Sequence, residues 1–118
     1  MSESSDQIAL FEWAALMQER LPELALLSHY PSGGKRDKAT AARLKAEGVR
    51  AGIPDLWLPC ARLGYHGLYI ELKVPGGRVS PVQQWWIDAL QAQGYRVVVC
   101  WQWLDAAAEL EQYLTWKP

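Results

Sequence analysis

Three charged side chains near the middle of the sequence have the types and spacing that could hold a metal ion beside an amine. Asp55 follows a proline in the apolar run 52–58, and the run 67–73 ends with Glu71 and Lys73. Both runs are rich in β-formers and are bounded by Gly or Pro, so each predicts a strand. Because side chains alternate faces along a strand, Glu71 and Lys73 should share one face. If the strands pair, two carboxylates and one lysine converge at one edge of a sheet.

Such a set of groups suits the hydrolysis of a phosphodiester. That reaction requires neutralising charge on the phosphate and making a nucleophile from water, and carboxylate-bound divalent cations do both. A neighbouring lysine can orient or deprotonate the water. The alternative is a solvated Glu/Lys pair on a half-exposed strand, with Asp55 as a turn residue. The very apolar run around Glu71 and Lys73 favours the catalytic interpretation.

The length and composition indicate one globular domain spanning residues 1–118. Half of the residues are hydrophobic and 21% are charged, and the net charge is only −1. No apolar run approaches the ~18 to 20 residues that cross a bilayer, so we expect a cytoplasmic protein without a membrane partner. Cys60 and Cys100 lack any metal-ligand spacing and should be buried free thiols.

Positive charge is concentrated in one segment, although the whole chain is nearly neutral. This cluster favours a surface that contacts DNA phosphates, and the alternative is an ordinary solvated helix face. This cluster provides no pattern of side chains that would recognise particular bases. Its members are Lys35, Arg36, Lys38, Arg43, Lys45 and Arg50.

The flanking segments predict helices around a small mixed sheet, an α/β fold. We expect helices over 7–21, 40–47, 81–93 and 105–114, and further strands over 24–30 and 95–101, the latter buried. Ser5 or Asp6 could cap the first helix and Asp105 the last. The connection between the two central strands is too short for a crossover helix, so that pair should be antiparallel.

Apolar spacing also predicts which side chains face inward. In the first helix these are Ile8, Phe11, Ala15 and Leu16; in the last they are Leu104, Ala108 and Tyr113 or Leu114. Of the seven tryptophans, Trp57, Trp86 and Trp101 are expected in the core. The other four, Trp13, Trp85, Trp103 and Trp116, could be partly exposed, in a dimer interface or stacked on unpaired bases.

Three segments together resemble the VRR-NUC family of the PD-(D/E)xK nuclease superfamily, in the short stand-alone form of bacteria and phages. They are Gly-Val-Arg-Ala-Gly-Ile-Pro-Asp-Leu-Trp-Leu-Pro at 48–59, Tyr-His-Gly-Leu-Tyr-Ile-Glu-Leu-Lys at 65–73, and Ser-Pro-Val-Gln at 80–83. The resemblance implies a restriction-endonuclease-like core and cleavage of DNA with Mg²⁺ or Mn²⁺. It also implies a homodimer that cuts branched DNA, including four-way junctions. General or nicking cleavage without branch preference, or a catalytically silent DNA-binding module, are the alternatives.

The resemblance also assigns roles to residues. It implies Asp55 and Glu71 as metal ligands, completed by the backbone carbonyl of Leu72, and Lys73 as the catalytic lysine. Gln83 would support the site, although Ser-x-x-Gln is equally a helix capping box and the two roles are compatible.

The resemblance also implies that the first helix adds an acidic residue to the site, a few positions before a glutamine. Glu3 is the first choice, because it stands four residues before Gln7, and Asp6 and Glu12 are alternatives. Ser32 stands where relatives often have Asn. A contact made by that Asn in the relatives is therefore not assigned to Ser32.

Overall fold

The computed structural model describes residues 2–31 and 37–117, with the exception of the Glu3 side chain. Within these residues the chain forms four α-helices, one 3-10 helix and four strands. In chain order they are α1 (Glu3–Met17), the 3-10 helix (Pro22–Leu26), β1 (Ser28–His29), α2 (Lys38–Ala46), β2 (Leu56–Leu58), β3 (Leu68–Leu72), α3 (Pro81–Ala92), β4 (Arg96–Cys100) and α4 (Trp103–Thr115).

The strands form one open mixed sheet in the order β1-β2-β3-β4. β2 pairs with both β1 and β3 in antiparallel fashion, whereas β3 and β4 are parallel. The parallel pair is joined through α3, as a parallel connection requires a crossover. The predicted α/β class and the predicted antiparallel pairing of the two central strands are therefore confirmed.

One face of the sheet packs against α1 and α4 to form the hydrophobic core. The register places Leu56 opposite Ile70, and Ile70 opposite Val98, so these side chains share that face. Leu10 of α1 and Leu110 of α4 are fully buried in the same cluster. The hydroxyl of Tyr113 adds a buried hydrogen bond of 2.6 Å to the carbonyl oxygen of Cys60.

α3 lies against the opposite face and begins as predicted. Ser80 caps the helix, Pro81 occupies its first turn, and Gln83 completes the capping box. Pro is well accommodated there because its missing N–H would have no partner within the helix. The start of α3 is therefore defined locally, next to the end of β3.

The predictions for α1 were partly wrong. The helix begins at Glu3, and Ser2 caps it instead of Ser5 or Asp6. Ile8 and Leu16, expected inside, are 58% and 81% exposed, whereas Leu10 and Ala14 are buried. Apolar residues occur around most of α1, so their spacing could not decide which flank meets the core.

Three other elements differ from their predicted form. The segment 24–30 is a 3-10 helix followed by the two-residue β1, because Pro22 starts a tight helical turn. β4 is an edge strand and is only half-buried. α4 begins at Trp103 after Gln102, so Asp105 is not its cap. Leu104 and Ala108, expected inside, are exposed, whereas Tyr113 is buried as predicted and Leu114 packs against the core.

The tryptophans divide differently from the prediction. Trp57 and Trp101 are not core residues, since 39% and 40% of their surfaces are exposed. Trp86 is half-buried and donates a hydrogen bond to the carbonyl oxygen of Ala51. Of the four expected near the surface, Trp85 and Trp116 are exposed, while Trp13 and Trp103 pack against the core.

Both cysteines are buried and free, as predicted. Within residues 2–31 and 37–117, no helix combines the length and the apolar character that a bilayer-spanning segment requires.

Candidate functional site

Asp55 lies immediately before β2 and is held by contacts with two neighbouring strands. Its side-chain Oδ2 accepts a hydrogen bond of 3.0 Å from the backbone N–H of Leu72 in β3. Its carbonyl oxygen accepts one of 2.6 Å from the N–H of Tyr30 and lies 3.2 Å from Nδ1 of His29. The carboxylate is therefore fixed beside β3, one residue along from Glu71.

Glu71 and Lys73 emerge from the same face of β3, as the two-residue spacing predicted. The Nζ of Lys73 lies 3.5 Å from Oε2 of Glu71, and the Glu71 residue is only 2% exposed. The backbone N–H of Lys73 donates to the carbonyl oxygen of Cys100 at 2.7 Å, which continues the β3–β4 pairing past the end of the strand. Sheet hydrogen bonding thus holds the backbone from which the lysine extends.

Gln83 connects the two charged side chains of β3 to the start of α3. Its Oε1 accepts hydrogen bonds from Nζ of Lys73 at 2.8 Å and from the backbone N–H of Ser80 at 2.9 Å. Its Nε2 donates to Oε2 of Glu71 at 3.1 Å. One amide therefore closes the capping box and contacts both charged groups, so the capping role is compatible with a role in the site.

The electrostatic balance of this cluster explains how a carboxylate can be buried. A buried charge is costly unless it is paired and hydrogen-bonded. The ammonium group of Lys73 and the amide of Gln83 provide both for Glu71. The amide presents its donor to the carboxylate and its acceptor to the ammonium, which fixes the orientation of all three groups.

The loop before Asp55 is held against α3, which sequence reasoning missed. Gly52 has a φ of +92°, and a Cβ atom there would lie 3.0 Å from Val82 Cγ1 and 3.1 Å from Trp86 Cδ1. A side chain would therefore be both strained and crowded at this position. The available signal was the glycine three residues before Asp55.

Of the three acidic residues proposed for the first helix, only Asp6 and Glu12 have side chains that the structure describes, and neither belongs to a three-ligand group there. The Glu3 side chain lies outside the described part of the chain. Asp6 is buried beside Pro75 and Trp103, and Glu12 lines a surface hollow with His29. Among the side chains that the structure describes, no three of the Asp, Glu, His and Cys residues are grouped so that they could hold a metal ion.

Asp55 and Glu71 nevertheless suit a hard divalent cation, because carboxylate oxygens are the ligands that Mg²⁺ and Mn²⁺ prefer. Mg²⁺ is commonly held by one or two carboxylates, with waters and substrate phosphate completing its coordination. Leu72, whose carbonyl oxygen was predicted as a third ligand, lies between Glu71 and Lys73 in the sheet and binds Asp55 through its N–H. The donor set therefore fits the ion predicted from the sequence.

The six predicted basic residues fall into three sets. Lys38, Arg43 and Lys45 lie on α2, which buries none of its side chains, and all three are exposed. The backbone N–H of Arg50 donates to the hydroxyl of Tyr30, and the backbone N–H of Tyr30 bonds to Asp55. Arg50 is thus tied to the site. The remaining two, Lys35 and Arg36, and also Ser32, lie outside the described residues.

Comparisons with known proteins agree with this arrangement. Residues 4–102 match the family model of the VRR-NUC domain. A solved structure described as a VRR_NUC domain protein is similar, with 30% sequence identity and a TM-score of 0.81. The alignment covers 97% of this chain and 88% of that one. No curated protein gives a significant match. Since the family model covers most of the sequence, the chain belongs to the VRR-NUC domain family, whose members are generally nucleases.

Proposed function

We propose that this protein is a metal-dependent DNA endonuclease that hydrolyses phosphodiester bonds. The observation that carries the proposal is the contact network of Glu71, Lys73 and Gln83 beside Asp55. Carboxylates, an amine and an orienting amide on one sheet face are the groups that such a hydrolysis requires. The nuclease character of the family supports the same conclusion.

Asp55 and Glu71 would hold Mg²⁺ or Mn²⁺, together with the carbonyl oxygen of Leu72. Glu3 remains a proposed further ligand from α1. When bound, the ion supplies positive charge at the scissile phosphate and lowers the pKa of the attacking water. The protein contributes a fixed geometry, because Asp55 is bonded to Leu72 and Glu71 is bonded to Gln83.

Lys73 is proposed as the catalytic amine. Its ammonium group is mostly shielded from solvent and is aimed by Gln83, at a distance of 2.8 Å. In that position it orients the attacking water and stabilises negative charge that develops on the phosphate. Gln83 contacts both Lys73 and Glu71, so its proposed role is to hold these two charged side chains in a fixed relative position.

DNA is proposed to approach along the basic segment. The exposed charges of α2 and Arg50, together with Lys35 and Arg36, would contact phosphates. Phosphate contacts position a duplex without reading its sequence. Selection by the shape of the DNA, as in branched molecules, is therefore favoured over recognition of a base sequence.

Cutting both strands of a branched duplex symmetrically requires a homodimer, because each protomer carries one site. Exposed apolar side chains that a second copy could cover lie on α1 and the 3-10 helix, notably Ile8, Leu16 and Leu26. Exposed apolar groups of this kind are common at protein interfaces. Cytoplasmic location remains an expectation that accompanies this activity.

The deciding experiment compares cleavage of a synthetic four-way junction with cleavage of a linear duplex of matched sequence. We expect activity in Mg²⁺ or Mn²⁺, none in EDTA, and faster cutting of the junction. Light scattering during size-exclusion chromatography should give the mass of a dimer.

Equal rates on both DNAs would leave a general or nicking nuclease and remove branch selectivity. DNA binding without cleavage in either metal would identify a catalytically silent DNA-binding module instead.

A further inference from the structure

A row of aromatic rings crosses the sheet on the same face as the candidate catalytic side chains. Trp57 stacks on Tyr69 with ring centroids 6.0 Å apart and an interplanar angle of 13°. Tyr69 meets Tyr95 edge-to-face at 5.3 Å, and Tyr95 meets His66 at 5.9 Å. The row therefore runs from β2 across β3 to Tyr95, just before β4, and ends at His66, just before β3.

The register places the start of this row next to the site. Trp57 follows Asp55 by two residues and Tyr69 precedes Glu71 by two, so all four side chains share one face. Two residues of a strand span roughly 7 Å, and successive bases of a DNA strand are about 3.4 Å apart along the helix axis. A phosphate held at Asp55 and Glu71 would thus bring a base one or two nucleotides away within reach of the Trp57 ring.

Trp57 also has an open side. Within the described chain, Tyr69 is the aromatic side chain recorded in contact with it. Its partner on the other strand is Ser28, a small and exposed residue of the edge strand β1. Of the three residues in β2, Trp57 alone is exposed, while its two neighbours are buried. Burial of apolar surface would favour keeping so large a ring covered, which makes this exposure informative.

We propose that Trp57, supported from behind by Tyr69, is a stacking platform for an unpaired base beside the scissile phosphate. This inference rests on the proposed DNA cleavage and specifies its substrate as DNA with unpaired nucleotides near the cut, such as a junction centre, gap or flap. Aromatic side chains stack on any base because every base has a π-face, so the platform needs no sequence preference. Arg50, whose backbone is linked to Asp55 through Tyr30, would hold the backbone of the same strand.

The test uses gapped duplexes with a 2-aminopurine at the first or second unpaired position, and a fully paired duplex for comparison. All proteins carry Lys73→Ala, so that binding is measured in Mg²⁺ without cutting. Stacking on Trp57 should quench the fluorescence of one of the two probes. Trp57→Ala should abolish this quenching and weaken binding of the gapped DNA about tenfold, within the roughly 5- to 150-fold range of one stacked base.

The controls separate stacking from damage to the fold. Trp57→Phe should retain part of the quenching, and Trp57→Leu should lose it while preserving an apolar cover for Tyr69. Trp116→Ala removes another exposed tryptophan, at the C-terminal end of α4, and should change neither affinity nor quenching. Affinity for the paired duplex should change less than twofold in all of these variants.

Equal loss of affinity for gapped and paired DNA in Trp57→Leu would overturn the platform, as would undiminished quenching in Trp57→Ala. A fall from dimer to monomer mass in the Trp57 variants would assign the ring to an interface between copies instead. The two proposals fail separately. Quenching without any cleavage by the unmodified protein would contradict the nuclease function alone, whereas cleavage without Trp57-dependent quenching would contradict the platform alone.

Discussion

The two faces of strands β2 and β3 differ in side chains and in cover. One face carries five aliphatic side chains that α1 and α4 bury to within 1% of completion: Leu56, Leu58, Leu68, Ile70 and Leu72. The other face carries charged and aromatic groups and is only partly covered by α3. Its members are Asp55, Trp57, Tyr69, Glu71 and Lys73. Ten positions, in the segments 55–58 and 68–73, thus supply both the core and the candidate site.

This difference shows how a small domain can hold chemistry in place with few residues. The aliphatic face specifies the register of the strands, because a slip of one residue would expose all of its members. Because the opposite face belongs to the same strands, the register also fixes which of its residues are neighbours. Asp55 therefore meets Leu72, and Glu71 meets Lys73, without a separate scaffold for the site.

The strongest test of this division compares substitutions at Ile70 and Lys73. Ile70→Ala should lower the free energy of unfolding by about 2 to 5 kcal/mol, because it leaves a cavity in the core. Lys73→Ala leaves the buried Glu71 carboxylate without its cation, so it should also lower stability, but it alone should reduce cleavage per folded molecule at least ~100-fold, since it removes a group that acts on the reacting atoms. Urea denaturation and single-turnover cleavage, normalised to folded protein, measure the two effects.

Lys117→Ala, which removes an exposed lysine near the end of the chain, is the matched control and should affect neither quantity. A loss of cleavage per folded molecule in Ile70→Ala as large as that in Lys73→Ala would show that the two faces are not separable.

Gln83 provides a sharper test, since it is both a helix cap and a contact of the site. Gln83→Ala should cost about 1 kcal/mol of stability through the lost capping box and about tenfold in cleavage. Gln83→Glu keeps an acceptor for the Ser80 N–H but cannot donate to Glu71. We therefore expect Gln83→Glu to retain the cap and still lose cleavage, as measured by thermal unfolding and cleavage rate. Full activity in Gln83→Ala would restrict the residue to its capping role.

The smallest expected effect concerns the thiols of the covered face. Burial raises the pKa of Cys100 to about 12, and it also raises the pKa of Cys60. The reactive thiolate is therefore scarce at pH 8, and alkylation should be slow in the native protein and fast in urea. Because the unfolded chain ionises Cys100 first, its contribution to stability is present below about pH 9 and is lost as pH rises towards 12.

Mass spectrometry of alkylated peptides measures each thiol, and Cys100→Ser identifies its share of the alkaline destabilisation. Rapid labelling of Cys100 in the native state at pH 8 would contradict the burial of this face.

Several features were predictable because they depend on neighbouring residues alone. Glu71 and Lys73 share a face through the two-residue period of a strand, and Ser80 with Gln83 forms a capping box through local hydrogen bonds. The short connection between β2 and β3 likewise required antiparallel pairing.

Other features could not be predicted because they depend on distant partners. α1 is apolar on most sides, so only its packing against α4 decides that Leu10 is buried and Ile8 is exposed. Trp57 was expected in the core by its type and its strand, yet it lies on the opposite face of β2 from Leu56 and Leu58 and is 39% exposed. Nor does the spacing of residues show that the Gln83 amide reaches both Glu71 and Lys73.

The sequence by itself determined the strand pair, the membership of the candidate site in that pair, and the family to which the chain belongs. These follow from residue type and short spacing, which act over a few bonds of the backbone. Only the tertiary structure decided which flank of each helix is buried, that α3 delivers Gln83 to the charged pair, and that Trp57 remains open beside it. Those outcomes depend on which apolar surfaces pack against each other, and such packing involves segments that are far apart in the sequence.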